Sequence, residues 1–178
     1  MNTTGDNNLI IDSGNTRTKI FMVQNTNVSN LLTVVHQNDA YIINFLKDIQ
    51  FKHAIYCETG HERVQLKYWL QENAVRFINF NQNVPVPLIN DYRTPDTLGY
   101  DRLATAAGAD FLYAGQNILI IDTGTAITYD IVSNGSYKGG AIAPGMAMRF
   151  ASLHEHTQKL PLIHYRTDYS IPGRNTEE

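Results

Sequence analysis

The residues with the most chemical potential form one run, Asp12-Ser13-Gly14-Asn15-Thr16-Arg17-Thr18-Lys19, between the apolar stretches 9–11 and 20–23. Short flanks rich in Ile and Val predict two buried strands joined by a turn. Gly14 lets a ligand approach the main chain. Asn15 and Thr16 add donors, Lys19 a mobile cation, and Asp12 a carboxylate that could hold a hydrated metal ion. Such a hairpin could hold a phosphate. Asp-Ser-Gly-Asn is also ordinary turn chemistry, and alone the stretch need do no more than reverse the chain. A second copy shifts the balance. Residues 118–132 repeat the layout, with Asp122-Thr123-Gly124-Thr125 between apolar runs. The two aspartates lie about one domain length apart.

A third candidate lies between the copies. The stretch 87–100 has little periodicity and many polar or turn residues, and loops of this length are often functional. It holds Tyr92, Arg93, Asp96, Gly99 and Tyr100, and Asp101-Arg102 follow at the start of an expected helix over 101–114. Asp101 could simply cap that helix, where a carboxylate is favoured. It could also be a base with a substrate-binding arginine beside it. A carboxylate of low pKa can still accept a hydroxyl proton late in phosphoryl transfer. Gly139, Gly140 and Gly145 could admit a nucleotide to the backbone, or mark a bulged strand and a turn. His154 and His156 do not share a helix face, which argues against a metal pair.

Several elements must position these residues. Strands are expected at 28–35, 54–57 and 75–80. Asn38-Asp39 predicts a helix cap, and Ile42, Phe45, Leu46 and Ile49 mark one helical face. Residues 62–72 predict a second helix and 146–153 another. Pro85 and Pro87 force an extended path. Asn134-Gly135 predicts a hairpin turn. The order β-β-β-α-β-α-β predicts a mixed α/β sheet with helices packed on it.

Composition narrows the class. The 178 residues suffice for one large domain or two small ones, and 43% hydrophobic content supports a packed core. A net charge of −3 argues against a general nucleic-acid binder. No apolar run approaches membrane-spanning length, and residues 1–8 lack the pattern of a signal peptide. The single cysteine, Cys57, excludes an intrachain disulfide and follows apolar residues, as a buried thiol would. A cytoplasmic location is expected.

Taken together, these motifs resemble the actin, sugar kinase and Hsp70 superfamily, and within it the type III pantothenate kinases. The resemblance rests on Asp-x-Gly-Asn-Thr-x-x-Lys at 12–19, Gly-x-Asp-Arg at 99–102 and Asp-x-Gly-Thr-Ala-x-Thr at 122–128. It extends to Gly-Gly-x-Ile-x-Pro-Gly at 139–145, Thr-x-x-Leu-Pro at 157–161 and Gly-x-x-Thr at 173–176. It implies an α/β fold of two RNase H-like (actin-like) lobes with mixed sheets. An N-terminal lobe would span 1–114 and a C-terminal lobe 115–178. The family's chains continue past the Gly-x-x-Thr segment, so the second lobe is expected to be incomplete at its C-terminus.

The resemblance also implies ATP-dependent phosphorylation of pantothenate. Asp12, Ser13, Gly14, Asn15, Thr16, Arg17, Thr18, Lys19 and Thr125 would bind ATP. Asp101 would accept the hydroxyl proton. Tyr92, Gly99, Tyr100, Asp101, Arg102 and Thr176 would contact pantothenate. Asp122 would ligate a monovalent cation, potassium or ammonium, and ATP would carry Mg2+. A homodimer is implied. The other expectation kept open is a non-catalytic nucleotide-binding accessory protein of the same fold.

Overall fold

A computed structural model describes residues 6–35, 38–60, 62–166 and 175. The chain divides into two compact units. One comprises Met1–Pro87 with Arg93–Ala107, the other Leu88–Tyr92 with Gly108–Glu178.

The first unit is built on a five-stranded sheet in the order β3-β2-β1-β4-β5. Strands β1 (Asn7–Ser13), β2 (Arg17–Gln24) and β3 (Asn27–Val35) form an antiparallel meander. Strand β4 (His53–Glu58) joins β1 in parallel, and β5 (Arg76–Phe80) joins β4 in parallel. Parallel neighbours need crossovers. These are α1 (Asp39–Leu46), between β3 and β4, and α2 (Val64–Asn73), between β4 and β5. Leu9 and Ile11 of β1, Ile20 and Met22 of β2, and Ala54 and Tyr56 of β4 pack with Ile42 and Leu46 of α1 and Leu66 and Leu70 of α2. The period of two on the strands and of four on the helices matches the buried faces.

Both helix starts are capped by α1. Asn38 Oδ1 accepts the Tyr41 amide at 2.9 Å, as its sequence position predicts. Helix α2 has no side-chain cap of its own at Arg63. Asp39 supplies it from the other helix, accepting the Leu66 amide at 3.2 Å. Helix α1 stops at Leu46, short of the expected Ile49. The chain tightens there, with the Ile49 amide on the Leu46 carbonyl at 3.0 Å, and Ile49 still packs on the core.

The second unit carries a four-stranded sheet in the order β6-β9-β8-β7. Strands β7 (Ile118–Thr123), β8 (Ala126–Ser133) and β9 (Ser136–Pro144) form a second antiparallel meander. Asn134 and Gly135 both take positive φ, 53° and 69°, as the predicted turn requires. Strand β6 (Ile89–Asn90) pairs with β9 in parallel, inside a stretch expected to be loop. Two residues are too short to leave a periodic trace. The buried centre includes Val132, Tyr137 and Asp130, with the Tyr137 hydroxyl donating to Asp130 Oδ1 at 2.6 Å. Helix α3 (Tyr100–Leu112) begins in the first unit, and α4 (Met146–Glu155) follows β9.

The two mixed sheets have the make-up expected of actin-like lobes. The glycine-rich strand acts structurally. A Cβ at Gly140 would collide with the Tyr129 carbonyl of β8, and one at Gly145 with the Gly124 and Thr125 carbonyls. These glycines permit close strand and turn packing.

Candidate active site

In the first hairpin the pleat decides which side chains reach solvent. Asp12 pairs across the strands with Lys19, and Ser13 with Thr18. Ser13 and Thr18 are buried, their hydroxyls 3.4 Å apart. Asp12 and Lys19 point the other way. Their side chains are 39% and 46% exposed, with Lys19 Nζ 3.6 Å from Asp12 Oδ2. The Gly14 amide donates to the Arg17 carbonyl at 2.9 Å and closes the turn. Asn15 and Arg17 are exposed, and Thr16 is half-buried. The rim therefore presents a lysine and a carboxylate to solvent. A half-exposed carboxylate fits Mg2+, which prefers hard oxygen ligands and keeps much of its water.

Asp101 lies in the first turn of α3. One of its oxygens accepts the Arg102 amide at 2.8 Å, so it does cap the helix. The carboxylate folds back over Gly99, where a Cβ would come within 2.6 Å of Asp101 Oδ1. Gly99 thus leaves room for the acid. The Tyr100 hydroxyl donates to Gln82 at 2.5 Å, and Arg102 is buried.

Cys57 links this acid to the hairpin. It is the penultimate residue of β4, opposite Asp12. Its thiol is pushed up to about 12, first by burial, then by the charges of Asp12, Asp101 and Glu58. Asp12 and Asp101 therefore act on one point at the end of β4. Their spacing in the sequence carried no sign of this. Cys57 stays a thiol near neutral pH, in keeping with the expected structural role.

Tyr92 belongs to the second unit, whereas Gly99, Tyr100, Asp101 and Arg102 belong to the first. The Tyr92 ring lies 6.0 Å from that of Tyr137 and covers Gly139, whose φ is +96°. Thr176 lies outside the described residues.

The second hairpin is tighter by one residue. Thr123 pairs with Ile127, where Ser13 pairs with Thr18. Asp122 consequently faces Thr128 instead of a lysine. Asp122, Gly124 and Thr125 are exposed. The Gly145 amide donates to the Thr125 carbonyl at 3.1 Å and braces the turn. An exposed carboxylate with a neutral cross-strand neighbour fits a monovalent cation. Among the described residues no group of three His, Cys, Asp or Glu could hold a metal. Any ion at Asp12 or Asp122 would need water, backbone carbonyls or phosphate oxygens to complete its ligands among the described residues.

Behind the first hairpin lies a polar network that the motifs did not point to. It contains Tyr56, Glu58, Gly60 and Arg63. The Tyr56 hydroxyl donates to Glu58 at 2.6 Å, and its pKa is raised chiefly by burial and by that bond. Arg63 donates to Ser13 and to Asp39. None of these residues has a spacing that signals a site.

A sequence profile of the type III pantothenate kinases matches residues 8–178. A type III pantothenate kinase from Azobacteroides pseudotrichonymphae is 41% identical over 170 residues, which cover 95% of this chain and 69% of that protein. One from Bacteroides fragilis is 35% identical over 171 residues, covering 96% and 70%. A crystal structure of a Campylobacter jejuni protein described as a Baf family member aligns with a TM-score of 0.54. It is 23% identical and covers 95% of this chain and 69% of its own, a likeness of fold. No helix among the described residues is long and apolar enough to cross a membrane.

Proposed function

This chain belongs to the type III pantothenate kinase family, and we propose that it transfers the γ-phosphoryl group of ATP to pantothenate, the first step of coenzyme A biosynthesis. The observation that supports this reading is the rim of the first hairpin, where the Asp12 carboxylate and the Lys19 ammonium, 3.6 Å apart, both reach solvent.

The hydroxyl oxygen of pantothenate bonds to the γ-phosphorus as the bond from phosphorus to the β,γ-bridging oxygen breaks. ADP leaves, and the hydroxyl proton passes to an Asp101 oxygen. Its bond to the Arg102 amide keeps the carboxylate oriented towards one side. A carboxylate suffices because the proton becomes acidic only late in a loose transition state. Residues 12–19 hold the phosphates through backbone amides, the Asn15 and Thr16 side chains and Lys19. Thr125 contacts ATP. Tyr92, Gly99, Tyr100, Arg102 and Thr176 orient pantothenate. Asp12 would hold hydrated Mg2+, which would supply charge neutralisation on the phosphate oxygens, and Asp122 would hold potassium or ammonium. The working form is a cytoplasmic homodimer.

The test is an ADP-release assay with and without pantothenate, in potassium and again in sodium. Pantothenate should stimulate release, more strongly in potassium. Asp101→Asn should lower turnover by about 100-fold or more at unchanged fold. No stimulation by pantothenate in potassium overturns the kinase reading. The second reading is a nucleotide-binding accessory protein of the same fold. In that case thermal stabilisation by ATP would appear without any response to pantothenate.

A further inference from the structure

We propose that Arg63 is a positioning residue that clamps the first hairpin in its phosphate-binding shape, with Thr59 and Gly60 completing the clamp. The proposal rests on the reading of residues 12–19 as a phosphate site.

The connection between β4 and α2 touches the hairpin at three described places. The Thr59 amide donates to the Ser13 carbonyl at 3.0 Å. Gly60 lies so close that a Cβ there would sit 2.7 Å from the Gly14 carbonyl oxygen and 3.1 Å from Asn15 Cα. Arg63 Nε donates to Ser13 Oγ at 2.9 Å, across 50 residues of sequence. The other arm of the same guanidinium donates to Asp39 Oδ1 at 3.1 Å. That pair is partly buried, with side chains 15% and 17% exposed.

One planar fork thus ties the end of β1 to the start of α1. Through Asp39, which also takes the Leu66 amide, it ties in the start of α2. Ser13 Oγ passes the connection to Thr18 on β2. The two strands that flank the turn are therefore held from behind by one side chain. Asp39 neutralises Arg63, so the contribution is geometry, not positive potential at the phosphates. A fixed fork delivers two directed bonds, which a lysine ammonium on a flexible stem does not reproduce.

The test uses the full chain with Arg63→Met, Arg63→Lys and Ser13→Ala. Two quantities are read: hydrogen exchange at the amides of residues 14–18, and the affinity for Mg·ATP by calorimetry. Arg63→Met should speed exchange at 14–18 by at least tenfold and weaken ATP to a similar degree. Arg63→Lys should restore little of either. Ser13→Ala leaves the Asp39 pair in place, so it should fold as the parent does and reproduce most of the loosening. Unchanged exchange at 14–18 in Ser13→Ala and Arg63→Met overturns the clamp. Full rescue by Arg63→Lys would make the role one of charge and also overturns it. Faster exchange in a protein whose parent binds no ATP would uphold the clamp and overturn the phosphate reading instead.

Discussion

The two hairpins begin from nearly the same sequence and end in different surroundings. Strand β1 reads Leu9-Ile10-Ile11-Asp12 and β7 reads Leu119-Ile120-Ile121-Asp122. In the first unit β1 lies between β2 and β4, and α1 and α2 cover one face of the sheet. Leu9 and Ile11 are 0% exposed. Among the described residues, strand β7 is the edge of its sheet and pairs with β8. Leu119 and Ile121, in the matching positions, are 61% and 53% exposed. An apolar pattern of period two states which face should be buried. It does not supply the layer that buries it. This chain covers 69% of the 41% identical relative, so that relative has further length to place.

The largest effect should separate these equivalent positions. Ile11→Ala removes a side chain from a closed core and should cost about 2–5 kcal/mol. Ile121→Ala removes one already facing solvent and should stay within about 0.5 kcal/mol. Urea unfolding of each variant measures both. Equal losses would mean that β7 is covered in solution, and the contrast between the units would fall.

Much of the first unit was legible because its signals are local. Asn38 caps α1 three residues from its partner amide, and the Ile42 and Leu46 spacing gives the helix its buried face. The turn at Asn134-Gly135 needs only its own two residues. What stayed hidden is long-range. Arg63 reaches Ser13 across 50 residues, and Asp39 caps α2 across 27. The convergence of Asp12 and Asp101 depends on β4 lying beside β1, which no motif encodes. The role of Gly140 depends on the Tyr129 carbonyl of its neighbour strand. Glycine-rich composition alone fitted nucleotide contact equally well.

The second contrast lies at the two aspartates. Asp12 has Lys19 across the strand pair and Asp122 has Thr128. If this difference reserves Asp122 for a mobile cation, an ammonium installed opposite should replace that cation. Thr128→Lys copies the arrangement of the first hairpin into the second. We expect the potassium-dependent part of thermal stabilisation by ATP to be lost, while stabilisation in sodium stays near its parent value. Potassium dependence that survives Thr128→Lys would move the cation away from Asp122.

The smallest effect probes the convergence inside the first unit. Burial first, and then the nearby carboxylates, push the Cys57 thiol up to about 12, so it stays protonated at pH 8. Alkylation by iodoacetamide should be slow in the folded protein and fast after unfolding. Burial is the leading cause and no surface substitution removes it. The charges of Asp12 and Asp101 come next, and each raises the pKa because a nearby anion disfavours the thiolate. Asp12→Asn and Asp101→Asn should therefore each lower the Cys57 pKa and speed alkylation by a few-fold. The double variant should exceed either single one. The thiol then reports, without any substrate, whether the hairpin carboxylate and the proposed base share one site. A response to Asp12→Asn alone would detach Asp101 from the hairpin and leave it as only the cap of α3.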